Sequence, residues 1–170
     1  MKLLTALAAA LVLNFGAINS MDAAAPQEKG NNIMATEDFA TVFARGEKND
    51  AYAQYFVGQS YLNMLSLEQV VIGNVTFEPG CRNNWHIHKA AKGGGQILLV
   101  TGGRGYYQEW GKEPRELHPG DVVNIPTGVK HWHGAAPDSW FAHLAIEVPG
   151  EETSNEWCEP VSDEEYNKLK

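Results

Sequence analysis

From residue 55 onward the chain is a succession of short alternating segments closed by glycine or proline, and this constrains its fold more than any other feature. Residues 70–77 are rich in β-branched and aromatic side chains and are stopped by Pro79-Gly80. Before them, Tyr55, Val57 and Gln59 share one face, followed by Tyr61 and Asn63. Further segments follow at 85–89, 96–100, 105–110, 115–118, 122–125, 130–133 and 141–148. Short strands at about 8–12-residue spacing, separated by Gly and Pro turns, predict an antiparallel sandwich or barrel and not alternating β-α units. The fold class is therefore all-β, a small antiparallel β-barrel or jelly roll, with a short helix at each end.

The N-terminal helix is expected over residues 37–45, where Phe39, Val42 and Phe43 fall at helical spacing ahead of Gly46. At the other end, Ser162-Asp163-Glu164-Glu165 is a capping box that opens a helix running to Lys168. Lys2, an apolar run over residues 3–13 and the small residues after it are too short for a membrane span. They read as a secretory signal within residues 1–25, with Ala17, Ser20 and Ala23 to Ala25 as candidate ends. Export to a periplasm or beyond follows. Residues 26–50 read as a linker and the short helix, the stretch 22–32 being polar and poor in large apolar residues. Residues 51–170 are then one domain, long enough for a well-buried core.

A formal charge of −8 with no basic patch excludes nucleic acid and anionic membrane as partners. Cys81 and Cys158 lack the spacing of a zinc or redox site. They read as two separate thiols, with a disulfide joining the C-terminal tail to the barrel as the alternative.

The chemistry concentrates in histidines. In a strand, His86 and His88 point to one face, about 6.5–7 Å apart, and two imidazoles so placed can chelate a divalent ion. Trp85 and Ile87 take the opposite face. The same alternation puts Gln96 with Leu98 and Val100, His131 with His133, and His143 with Phe141 and Ala145. Five of the six histidines can thus line one cavity, while His118, before Pro119-Gly120, reads as a solvated turn residue.

Two motifs carry a family resemblance. Gly80 is followed by five residues and His86-Ile87-His88, then Gln96, six residues and Gly103; Gly120 is followed by five residues, Pro126-Thr127-Gly128, two residues and His131. This resembles the paired motifs of the cupin family, with a longer spacer before Gln96 and glutamine where most members carry glutamate. Thr76 to Gly80, Trp85-His86, Leu117 to Val123, Lys130 to Pro137 and His143 to Ile146 look like the small manganese-dependent bacterial cupins that act as hydroxynitrile lyases. The resemblance implies a metal held by His86, His88, Gln96 and His131, with His133 and His143 as further active-site histidines. It also implies one divalent ion per subunit, manganese foremost, with Fe, Ni, Zn or Co able to take the same ligands, and a homodimer.

Three neutral imidazoles and one neutral amide leave a bound ion its full charge, which favours Lewis-acid work on a substrate oxygen or nitrile. The expected function is a lyase acting on a hydroxylated small molecule, with His133 or His143 moving the proton. The alternatives are an isomerase of uronate-type sugars, a metal-dependent dioxygenase, and a non-catalytic small-molecule-binding protein.

Overall fold

The computed structural model of the chain describes residues 39–169. The predicted export signal (1–25) and polar stretch (22–32) lie outside the described residues. The strands are β1 (Ser60–Ser66), β2 (Ile72–Phe77), β3 (His86–Lys89), β4 (Gln96–Gly103), β5 (Gly105–Glu109), β6 (Arg115–Leu117), β7 (Val122–Ile125), β8 (Lys130–Ala135), β9 (Phe141–Glu147) and β10 (Ser154–Trp157), followed by helix α1 (Asp163–Tyr166). Two-residue bridges at Glu47–Lys48, Phe56–Val57, Arg82–Asn83, Lys92–Gly93 and Gly150–Glu151 complete the set. The first bridge pairs with β1, so the sheet starts ahead of the residue-51 boundary.

All pairings are antiparallel. One sheet runs Glu47–Lys48, β1, β2, β9, β4, β7. The other runs β6, β5, β8, after which β8 pairs with Arg82–Asn83 along one half and with β3 along the other, and β10 covers β3. The all-β expectation holds, and the reason is visible strand by strand. Inward residues Phe77, Leu98, Val100, Leu117, Val123, Ile125 and Phe141 form one buried cluster. Burying each large apolar side chain contributes about 1.5–3 kcal/mol. Trp85 and Trp132, on the opposite faces of β3 and β8 from their neighbouring histidines, pack with Tyr106, Ala136, Val161 and Tyr166 in a second cluster. The C-terminal tail closes that cluster. Arg82 donates to Val161 O at 3.1 Å and lies 4.2 Å from the Tyr166 ring centre, while Tyr166 OH donates to Ala135 O at 2.5 Å.

The C-terminal capping box forms: the Glu165 backbone N–H donates to Ser162 Oγ at 3.1 Å, and the Ser162 hydroxyl donates to Glu165 Oε2 at 3.2 Å. The N-terminal helix is a correction. Residues 39–46 carry no helix; among the described residues the nearest helical turn is a 3₁₀ segment, Asp50–Tyr55. Phe39 stacks on Trp140 at 5.5 Å, and the Arg45 guanidinium sits 4.4 Å from the Tyr61 ring centre. Those tertiary contacts hold the segment along the sheet, and they outweigh a weak local helical preference.

The long spacer after His88 also acquires structure. Lys92–Gly93 pairs with Gly150–Glu151, Gly94 N donates to Pro149 O at 3.1 Å, and Val148 N donates to Gly95 O at 3.0 Å. Gly93, Gly94 and Gly95 all have positive φ (63°, 75° and 97°), and a Cβ on Gly95 would lie 2.4 Å from Ile125 O. The spacer is thereby zipped to the segment that follows β9.

Candidate metal centre

β3 supplies His86 and His88, and β8 places His131 directly across from His86. Cross-strand neighbours approach closely, and the His86 and His131 ring centres are 4.1 Å apart. His88 lies 5.2 Å from His86 and 5.5 Å from His131 by the same measure. Gln96 enters from the first residue of β4. None of these four residues is more than 5% exposed.

The hydrogen bonds decide which atoms are free. His86 Nδ1 is 2.9 Å from Asn84 O, His131 Nδ1 2.9 Å from Val129 O, and His88 Nδ1 3.1 Å from Glu147 Oε2. Each of those oxygens is an acceptor only, so each Nδ1 carries the proton and each Nε2 keeps a lone pair. The Gln96 amide nitrogen donates to Glu147 Oε1 at 3.0 Å. What remains is a set of orphaned acceptors: His88 Nε2, His131 Nε2 and Gln96 Oε1 are buried without a hydrogen-bond partner. A buried unsatisfied acceptor costs about 1–3 kcal/mol. A cation is the kind of partner that would satisfy such acceptors, and a nitrogen-rich neutral donor set suits a divalent transition metal. The histidines whose ring nitrogens all lie within 4.8 Å of one another are His86, His131 and His133; the predicted ligand His88 falls outside that group. The histidine cluster suggests a divalent metal.

Burial favours the neutral form that ligation requires at His86 and His131. It holds His86 well below the usual histidine range, with the His131 charge adding to the effect. It lowers His131 to about 4, against the opposing pull of its bond to Val129 O.

The other two predicted site histidines form a pair. His143 Nε2 lies 3.1 Å from His133 Nδ1, and Asn83 holds His133 from its own strand, donating from Nδ2 to a ring nitrogen at 3.1 Å and accepting the His133 backbone N–H at 2.9 Å. Burial pushes His143 down to about 4, and it holds His133 well below its ordinary value, where the neighbouring His143 lowers it further. Their positions differ. His133 faces the cavity, whereas His143 sits fully buried behind it against Phe77 and Phe141.

The cavity measures about 550 Å³. His86, His88, Gln96 and His133 form its polar end, and Leu62, Val75, Ala145, Phe56 and Trp157 contribute apolar wall. Trp157 stacks on Tyr55 at 4.5 Å and lies 4.8 Å from the His86 ring. No lysine or arginine lines it among the described residues; Glu147 is its one formally charged side chain. His118 stays outside on the surface, 3.0 Å from Glu116, and Cys81 and Cys158 are separate thiols.

Three residues of the site escaped the sequence reading. Glu147 follows Phe141, His143 and Ala145 on the inward face of β9, so continuing that alternation would have found it. Asn83 and Trp157 carry no local signal, since only sheet pairing brings their strands to β8 and β3.

Comparison with known proteins agrees with this geometry. A cupin domain matches residues 73–145, a span that holds all six of His86, His88, Gln96, His131, His133 and His143. Over 95 residues the chain is 47% identical to a protein named (R)-mandelonitrile lyase from Granulicella tundricola, a match covering 56% of this chain and 70% of that one. A cupin-like protein from Thermotoga maritima superposes with a TM-score of 0.66 at 41% identity, over 75% of this chain and 96% of that one. A putative sugar phosphate isomerase from Acidithiobacillus ferrooxidans, at 18% identity and a TM-score of 0.50 over 59% of this chain and 65% of that one, shares the fold alone. With the paired histidine motifs, the two facing sheets and relatives of this similarity in hand, the chain belongs to the cupin family.

Proposed function

We propose that the protein is a metal-dependent lyase that cleaves or forms a C–C bond beside a hydroxyl in a small neutral molecule, as in a cyanohydrin. The observation that carries the reading is the set of buried, unpartnered acceptors: those of His88 and Gln96 at the polar end of a mostly apolar cavity, and that of His131 on the neighbouring strand, directly across from His86. Likeness to a mandelonitrile lyase supports it. His86, His88, Gln96 and His131 would hold the ion, which supplies Lewis acidity toward a substrate oxygen.

The chain's own residues do the rest. The apolar wall with Phe56 and Trp157 takes the hydrocarbon part of the substrate and excludes water from it. His133, neutral because it is buried, accepts the hydroxyl proton at Nε2, where the substrate hydroxyl replaces the Asn83 amide as hydrogen-bond donor. His143 holds that ring through its Nδ1, and Asn83 Oδ1 anchors the residue by accepting its backbone N–H. As the C–C bond breaks, its electron pair leaves with the departing carbon, the alkoxide oxygen becomes a carbonyl, and His133 returns the proton to the leaving group. The one formally charged side chain of the cavity wall is the Glu147 carboxylate, which favours this neutral substrate over an anionic uronate. A base beside the acceptors favours turnover over mere binding.

Export, expected from the N-terminal sequence, and dimerisation, implied by the family resemblance, belong to the same proposal; fractionation of the native host and light scattering test them. The central test loads the purified protein with Mn, Fe or Zn in turn and assays cyanohydrin cleavage, uronate isomerisation and oxygen uptake. The reading requires cyanohydrin cleavage that His131→Ala removes together with the bound metal. Metal retained by His131→Ala contradicts the ligand assignment.

A further inference from the structure

We propose that Glu147 is a positioning residue paired with Gln96: it holds His88 and Gln96 in their ligating states and returns, one hydrogen bond behind the ligands, the carboxylate that the ligand set lacks. The inference rests on the metal reading above and concerns how this particular ligand set is made to work.

Glu147 ends β9 and stands opposite Gln96 in the sheet register. The spacer pairing described above, with Val148 N donating to Gly95 O one residue on, locks that register from the side of the cavity mouth. Each carboxylate oxygen has a different partner: Oε2 faces His88 Nδ1 at 3.1 Å, and Oε1 accepts from Gln96 Nε2 at 3.0 Å. No other partner competes in the described hydrogen bonds, and the side chain is 37% exposed to the cavity.

This geometry answers a problem the sequence poses. An amide can turn either end toward a cation, and only its oxygen is a ligand. With its oxygen turned toward Glu147, two acceptors would oppose one another. The carboxylate therefore turns the amide nitrogen outward and the oxygen inward. It also fixes the His88 tautomer, leaving Nε2 free. Both donated hydrogen bonds run to an anion, so each ligand is polarised toward its metal-facing atom. Placing a carboxylate at position 96 instead would set two carboxylates in direct contact. Glutamine at 96 and glutamate at 147 are thus one device.

A charge swap tests it. In Glu147→Gln the amide has one acceptor for two donors, so either His88 or Gln96 loses its hold. In Gln96→Glu two carboxylates meet. In the double variant Gln96→Glu/Glu147→Gln every group is paired again: the introduced amide accepts from His88 Nδ1 and donates to the introduced carboxylate, whose other oxygen faces inward. Manganese titration calorimetry on the full-length protein should show each single variant about 10–100-fold weaker than wild type, and the double variant stronger than either single variant. In the metal-free protein, long-range ¹H–¹⁵N spectra should show His88 as the Nδ1–H tautomer in wild type and a tautomer mixture in Glu147→Ala. Single variants that bind manganese like wild type, or a double variant no better than the singles, overturn the pairing while leaving the metal centre standing. A wild type that binds no divalent metal overturns the centre itself. An unaltered His88 tautomer in Glu147→Ala overturns the positioning role in either case.

Discussion

His143 makes the fold acid-sensitive, by an amount that can be worked out in advance. The ring is fully buried, and burial lowers its pKa from 6.5 to about 4. The folded chain therefore resists protonation that the unfolded chain accepts. Acidification through the unfolded value pulls the equilibrium toward unfolding, and the loss grows until the folded value is reached. For a single group with those two pKa values, the stability lost between about pH 7.5 and pH 4.5 is about 2–3 kcal/mol. That is a sizeable share of the roughly 5–15 kcal/mol typical of a domain. His131, lowered to about 4 by its own burial, adds a loss in the same window and of the same sign. The assay is urea unfolding of the metal-free protein, with chelator present, across that pH range for wild type and His143→Gln. The variant starts less stable at neutral pH, and its stability should fall less steeply on acidification, by about 2–3 kcal/mol over the window. Parallel pH profiles for the two proteins would refute the reasoning, because they would mean that the ring titrates alike in both states.

Three further outcomes follow from packing. Leu98 is completely buried between the sheets, so Leu98→Ala should cost about 2–5 kcal/mol in chemical denaturation. Gly103 has φ +70°, and a Cβ there would fall 1.8 Å from Trp140 O; Gly103→Ala should lower the melting midpoint by several degrees, corresponding to about 1–3 kcal/mol. Cys81 is 1% exposed, with burial pushing its thiol up to about 12, while Cys158 is partly accessible. A thiol reagent should therefore titrate one group in the native protein and two after unfolding.

Side-chain alternation is a property of each strand alone, and it was sufficient to group His86 with His88, His131 with His133, and the apolar residues with the core. Spacing between motifs, with the family resemblance it carries, pointed to Gln96 and His131 as companions of the first two histidines. The C-terminal capping box was equally local, since four consecutive residues close it. Helical spacing over residues 37–45 misled: in the described part the segment is not helical, with Phe39 stacked on Trp140 and Val42 turned out to solvent at 87% exposure.

What the chain order could not contain is which strands become neighbours. Glu147 stands 51 residues from Gln96 and 59 from His88, and Asn83 stands 50 from His133; only closure of the two sheets brings each pair into hydrogen-bond contact. The tautomer of each imidazole, the orientation of the Gln96 amide and the placing of His143 behind His133 depend on those contacts. Residue types and period-two alternation therefore determine the inventory of the site. Long-range register and the burial it creates decide which atoms are left free to bind.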